Sequence, residues 1–171
     1  GRSFEIAAPG RRLASYLASP AIRPIGAPAV VLAHAFPGGP RGSANNPTTL
    51  RALADRVADE LGWLALTFTF TSVGDSTGLF SIATWVDDLR AVTDHVIQGE
   101  RANGVWLVGF GTGGALCICA GAADQRVRGV ASAAAAADFD DWARNPRQLL
   151  DHAAAVGMRI APAYARDQSI L

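Results

Sequence analysis

The sequence predicts an α/β domain, a mostly parallel sheet flanked by helices. Three observations carry this. Residues 29–35, 63–70 and 105–109 are short, nearly unbroken apolar runs, as expected of strands buried on both faces of a parallel sheet. Between them, residues 50–61 and 83–97 place apolar side chains at helical spacing. The alternation of the two patterns is that of strand–helix–strand units, whose sites lie at the carboxyl ends of the strands.

Taken in order, residues 4–8 and 13–17 form a hairpin about Gly10-Arg11, and residues 20–28 a proline-rich loop. The strand at 29–35 leads into a loop over 37–47, rich in Gly, Pro and Asn. Thr48 or Thr49 caps the first helix, in which Leu50, Leu53, Ala54, Val57, Ala58 and Leu61 recur at helical spacing and which stops at Gly62. The strand at 63–70 precedes a glycine-rich loop over 72–81. The helix over 83–97 carries Trp85, Leu89, Val92 and Val96 on one side. The strand at 105–109 runs directly into an apolar helix over 112–123. A sixth strand over 127–135 follows, and residues 139–171 read as mainly helical, broken at Pro146 and Pro162. The length of 171 residues suits one domain, 1–171, in which 139–171 is a helical cap-like or connecting segment.

Composition excludes several function classes. Formal net charge is zero, and all 15 basic residues are arginines spread along the chain, so no nucleic-acid surface is expected. No apolar stretch is long enough for a membrane span. The two cysteines, Cys117 and Cys119, lie two apart on a helix and point in different directions; they read as small buried hydrophobes of a reducing, cytoplasmic protein. No ligand cluster suggests a metal, and no cofactor is expected.

The chemistry gathers in three glycine-rich loops at one rim. Gly109-Phe110-Gly111-Thr112-Gly113-Gly114 links a strand to a helix with the spacing of a nucleophile elbow, G-x-S-x-G. Glycine stands where the serine belongs. It lacks a nucleophile and is free to relax the strained turn. The same residues fit G-x-G-x-x-G at Gly109, Gly111 and Gly114, with Asp138 as a ribose-binding acid, which gives a nucleotide-binding alternative. Gly74-Asp75-Ser76-Thr77-Gly78 matches G-x-S-x-G literally, but no helix follows at once; Ser76 is expected to bond to the backbone of its own turn. His34 is expected to be a hydrogen-bonded residue near the rim, and His95 and His152 surface or packing residues.

The loop Ala33-His34-Ala35-Phe36-Pro37-Gly38-Gly39, then Phe68-Thr69-Phe70 before Gly74–Gly78, then Trp85 with Asp87-Asp88-Leu89, then the elbow at Gly109–Gly114, together resemble the α/β-hydrolase superfamily, in particular small esterases and dienelactone-hydrolase-like proteins. The likeness spans roughly residues 3 to 140. It implies a sheet truncated after the sixth strand. It also implies an oxyanion-type site with Phe36 and Thr112 as backbone donors, and His34, Phe36, Thr112 and Gly113 as ligand-binding residues. Ala35 replaces the glycine of the family's loop. No triad is intact: Gly111 holds the nucleophile position, Asp138 takes a less common acid position, and no later histidine but His152 is present. The resemblance therefore implies a non-catalytic binding or scaffold domain for a small acyl or carboxylate ligand. The alternative is a fragment or variant of an active carboxylic-ester hydrolase. An edge at residues 127–135 would suit an oligomer or protein partner.

Overall fold

The computed structural model describes residues 1–38, 47–135 and 144–163. β1 (Arg2–Ala8) and β2 (Arg11–Ala18) form the expected antiparallel hairpin, turning at Gly10 with φ +73°. β3 (Ala29–Ala33), β4 (Leu64–Phe68), β5 (Val105–Phe110) and β6 (Val127–Ala133) run parallel to one another. The sheet order is β1-β2-β4-β3-β5-β6, and β2 joins the parallel strands through an antiparallel pairing with β4.

Period-two alternation sorts the side chains between two layers. Val30, Leu32 and Ala65 face α1 (Pro47–Leu61), meeting Ala54 and Ala58. Val31, Leu64, Leu66 and Leu107 point to the other face. There they meet Trp85, Leu89 and Val92 of α2 (Ile82–Asp94) and Leu116 and Cys117 of α3 (Thr112–Ala123). Among the described residues β6 lies at the end of the sheet, pairs only with β5 and is largely exposed. Among the described residues no helix is long and apolar enough to cross a membrane.

Several local expectations change. Ser81 caps α2 by accepting the Thr84 N–H at 2.9 Å. The α-helix ends at Asp94, short of residue 97, and continues as a wider π turn, His95–Gly99. This turn keeps Val96 in the core and brings Glu100 to Arg2 and Arg23. Cys117 is buried but Cys119 is exposed, because residues two apart on α3 face opposite ways. Pro146 does not break a helix but opens one, α4 (Pro146–Ala155), where its missing N–H is not needed. Pro162 likewise begins a helical turn.

Candidate functional site

The loops leaving β3, β4 and β5 meet at the carboxyl ends of the parallel strands. The loop after β4 is anchored from beneath. Asp88 Oδ2 accepts the Thr71 N–H at 2.7 Å, and Oδ1 accepts the Thr71 hydroxyl at 2.9 Å and Arg11 Nε–H at 2.6 Å. Trp85 Nε1–H donates to Thr71 O at 2.9 Å. Asp88 is fully buried, and burial pushes its carboxyl above the usual carboxylate range against the pull of Thr71 and Arg11. The Trp85 and Asp88 of the sequence motif thus hold this loop, while Asp87 pairs with Arg90 on the surface.

Ser76 is buried; its N–H donates to Val73 O within the turn at 3.1 Å, but its hydroxyl reaches outside the turn. Its hydroxyl donates to Thr69 O at 2.7 Å, accepts the Ala14 N–H at 2.9 Å and meets Thr69 Oγ1 at 2.7 Å. It joins β2 to the end of β4.

His34 is 1% exposed, and both ring nitrogens are engaged. Nε2 accepts the Phe70 N–H at 3.0 Å, so the hydrogen sits on Nδ1, which donates to Ala35 O at 2.7 Å. His34 therefore ties the β3 loop to the β4 loop. His95 packs on Phe4 with ring centroids 5.1 Å apart, away from the elbow; burial lowers its pKa from the ordinary histidine value, against Glu100.

At the elbow, Gly111 has φ +53° and ψ −125°. The turn has not relaxed. Its backbone is held on both sides: its N–H donates to Ala133 O at 2.9 Å, and its carbonyl accepts the N–H groups of Gly114 and Ala115 at 3.0 and 3.2 Å as α3 begins. A side chain in this region of φ/ψ would be strained, and glycine is not. A Cβ built on Gly111 would also lie 2.9 Å from the Cβ of Ala35. Neighbouring glycines serve close packing: a Cβ on Gly109 would lie 2.5 Å from Gly113 O and Gly114 Cα, and one on Gly113 would strike the His34 carbonyl. The fingerprint glycines Gly109 and Gly114 are thus engaged in helix-on-strand contact. Asp138 lies outside the described residues.

Thr112 begins α3 and is 9% exposed; Gly113 follows it, buried. Phe36 is half-buried, its ring 5.5 Å from Trp85 and 5.7 Å from Phe80. His152, expected to be a surface or packing residue, packs against the loop after β3. It lies on α4, with its Nε2 2.8 Å from Pro37 O and its ring 5.6 Å from Phe36. No local signal links two residues 115 positions apart. Between α4 and residues 36–38 lies a recess of about 720 Å³, floored by Phe36 and Leu149 and rimmed by Asn145, Gln148, Asp151 and His152. On the α1 side of His34 is a smaller pocket of about 70 Å³, reached by Ser15, Tyr16 and Arg51. Among the described residues no three His, Cys, Asp or Glu side chains come together as metal ligands.

No protein-family model and no curated protein matches the chain. Solved structures do. XC6422 from Xanthomonas campestris, described as an α/β serine hydrolase without a lid, is 27% identical with a TM-score of 0.64, over 77% of this chain and 59% of its own. An α/β serine hydrolase homologue from Coxiella burnetii is 28% identical with a TM-score of 0.63, over 77% of this chain and 61% of its own. Alpha/beta hydrolase domain-containing protein 10 from mouse is 16% identical with a TM-score of 0.62, over 98% of this chain and 64% of its own, a likeness of fold alone. The chain spans about three-fifths of the length of the Xanthomonas and Coxiella structures.

Proposed function

We propose that this chain, a member of the α/β-hydrolase superfamily, is a hydrolase-like binding domain without serine-hydrolase activity. In this reading it holds a small acyl or carboxylate ligand at the elbow. In this reading Gly111 takes the nucleophile position, and the observation that supports it is the backbone there, φ +53° and ψ −125°, on a residue with no side chain to attack a carbonyl. The serine that matches G-x-S-x-G literally offers no substitute, since Ser76 is buried and its hydroxyl is committed to Thr69 and Ala14.

The remaining geometry supports binding rather than turnover. Thr112 and Gly113 open α3, and the first N–H groups of a helix have no acceptor within it and favour negative charge. Phe36, on the facing loop, is the second backbone donor in this reading, and the hydrocarbon part of a ligand would lie in the recess over Phe36 and Leu149. His34 contributes by holding the two loops together. In this reading the described part of the 139–171 segment, residues 144–163, is cap-like and belongs to the same domain, and the outer edge of β6 is a strand-pairing surface for a protein partner.

The test is twofold. A fluorophosphonate probe is expected to label no serine, and 4-nitrophenyl butyrate to turn over no faster than in buffer. Titration with butyrate or methyl butyrate is expected to shift the Thr112 and Gly113 amide resonances at millimolar concentration. Time-dependent labelling with matching ester turnover overturns the non-catalytic reading. Unmoved Thr112 and Gly113 resonances overturn the ligand site.

A further inference from the structure

The helix that carries His152 is itself well held. Leu149, Leu150 and Ala153 are buried, and Ala153 joins the main core. The chain after α4 is tied to the β4 loop: the Arg159 N–H donates to Ser72 Oγ at 2.5 Å, and the Phe80 N–H donates to Arg159 O at 2.6 Å. Phe80 and Ile160 form a parallel bridge. His152 is therefore presented from a seated element, and the segment it meets, residues 36–38, is the start of the loop after β3.

A carbonyl can only accept, so at 2.8 Å from Pro37 O it is His152 Nε2 that carries a hydrogen and donates it. The imidazole ring at the same time lies tilted at 32° against Phe36. Trp85 and Phe80 also pack against the Phe36 ring, at 5.5 and 5.7 Å. The two contacts act on consecutive residues, one on a backbone carbonyl and one on a side chain, and together they restrict both displacement and rotation of the loop.

We infer that His152 is a positioning residue for the loop facing the elbow: its Nε2–H to Pro37 O and its ring against Phe36 set the loop's geometry and form one wall of the recess. This rests on the binding reading above for what the loop holds, but the positioning itself is measurable without a ligand.

The experiment is amide hydrogen exchange on the whole chain, read at Phe36 and Gly38, for the parent, His152→Ala and His152→Gln. Ala is expected to speed exchange at these amides about tenfold while leaving Leu107 in β5 unchanged. Gln, whose side-chain amide can donate to the same carbonyl, is expected to return exchange to within about threefold of the parent. Butyrate and methyl butyrate affinities, read from the Thr112 resonance, are expected to fall in the same order. Should Ala loosen the whole chain, seen as equal acceleration at Leu107, His152→Phe takes its place, keeping a ring against Phe36 but no donor. Parent-like exchange in Ala, or Gln no better than Ala, overturns the inference. If the exchange order holds and neither probe binds the parent, positioning stands and the ligand reading fails.

Discussion

The methyl of Ala35 stands where a side chain at position 111 would begin: a Cβ on Gly111 falls 2.9 Å from the Cβ of Ala35. Real Cβ atoms do not approach this closely, and Ala35 has no flexible end to turn away. Alanine at position 35 and glycine at position 111 are therefore sterically coupled. Gly111→Ser alone should cost about 1–3 kcal/mol for a side chain at this φ/ψ, and a further amount of about 1–3 kcal/mol for overpacking against Ala35. Adding Ala35→Gly should recover the second part and leave the first. Urea unfolding of both single variants and the double variant measures this as a coupling energy; strictly additive effects would refute it.

The literal serine motif makes the opposite prediction about chemistry and stability. Ser76→Ala removes a hydroxyl that serves Thr69 O, Thr69 Oγ1 and the Ala14 N–H. It should destabilise the chain by about 1–3 kcal/mol, because polar groups buried around it lose their partner. Fluorophosphonate labelling of the variant and the parent should be equally absent. A parent that labels at Ser76, with the label lost in Ser76→Ala, would make it a nucleophile.

Features set by burial along the chain were legible, and features set by contacts between distant loops were not. Val30, Val31 and Leu32 sit between two helical layers, so β3 reads as an apolar run; Gly62, with φ +69°, marks the end of α1 through local backbone chemistry. The freedom of glycine alone does not relax the turn at Gly111, because the Ala133 carbonyl and the α3 N–H groups hold its backbone. Ser76 was read from its turn, although its partners lie on β2 and at the end of β4. His152 carried no signal because its place depends on the approach of α4 to Pro37. Pro146 shows the reverse error, a helix breaker by type that is a helix starter by position.

The two cysteines should differ sharply in reactivity. Burial pushes the Cys117 thiol up to about 12, so almost no thiolate exists at neutral pH, and its surroundings exclude reagents. Cys119 is exposed. Iodoacetamide on the folded chain should add one label, at Cys119, and a second only in denaturant. Peptide mapping checks this; equal rates at both thiols in the native state would contradict the burial of Cys117.

Asp88 gives the pH prediction. The carboxylate is fully buried and bonded to Thr71 and to Arg11, whose side chain is 11% exposed. Asp88→Asn replaces one of the two oxygens that accept from Thr71 and Arg11 with a donor and should cost about 1–3 kcal/mol near neutral pH. The direction of the pH dependence follows from the raised pKa of the folded state. A group that binds its proton more tightly when folded contributes stability that is fully present below its unfolded pKa, about 4 for Asp, and is lost as pH rises through the folded value. On acidification the parent therefore gains a contribution that Asn, which does not titrate, cannot supply. The stability gap between parent and Asp88→Asn should widen as pH falls from neutral towards about 4 and then stay level. Urea unfolding across that range measures it. A gap that narrows on acidification would mean that Arg11 and Thr71, rather than burial, dominate the carboxylate, with its folded pKa below the usual value.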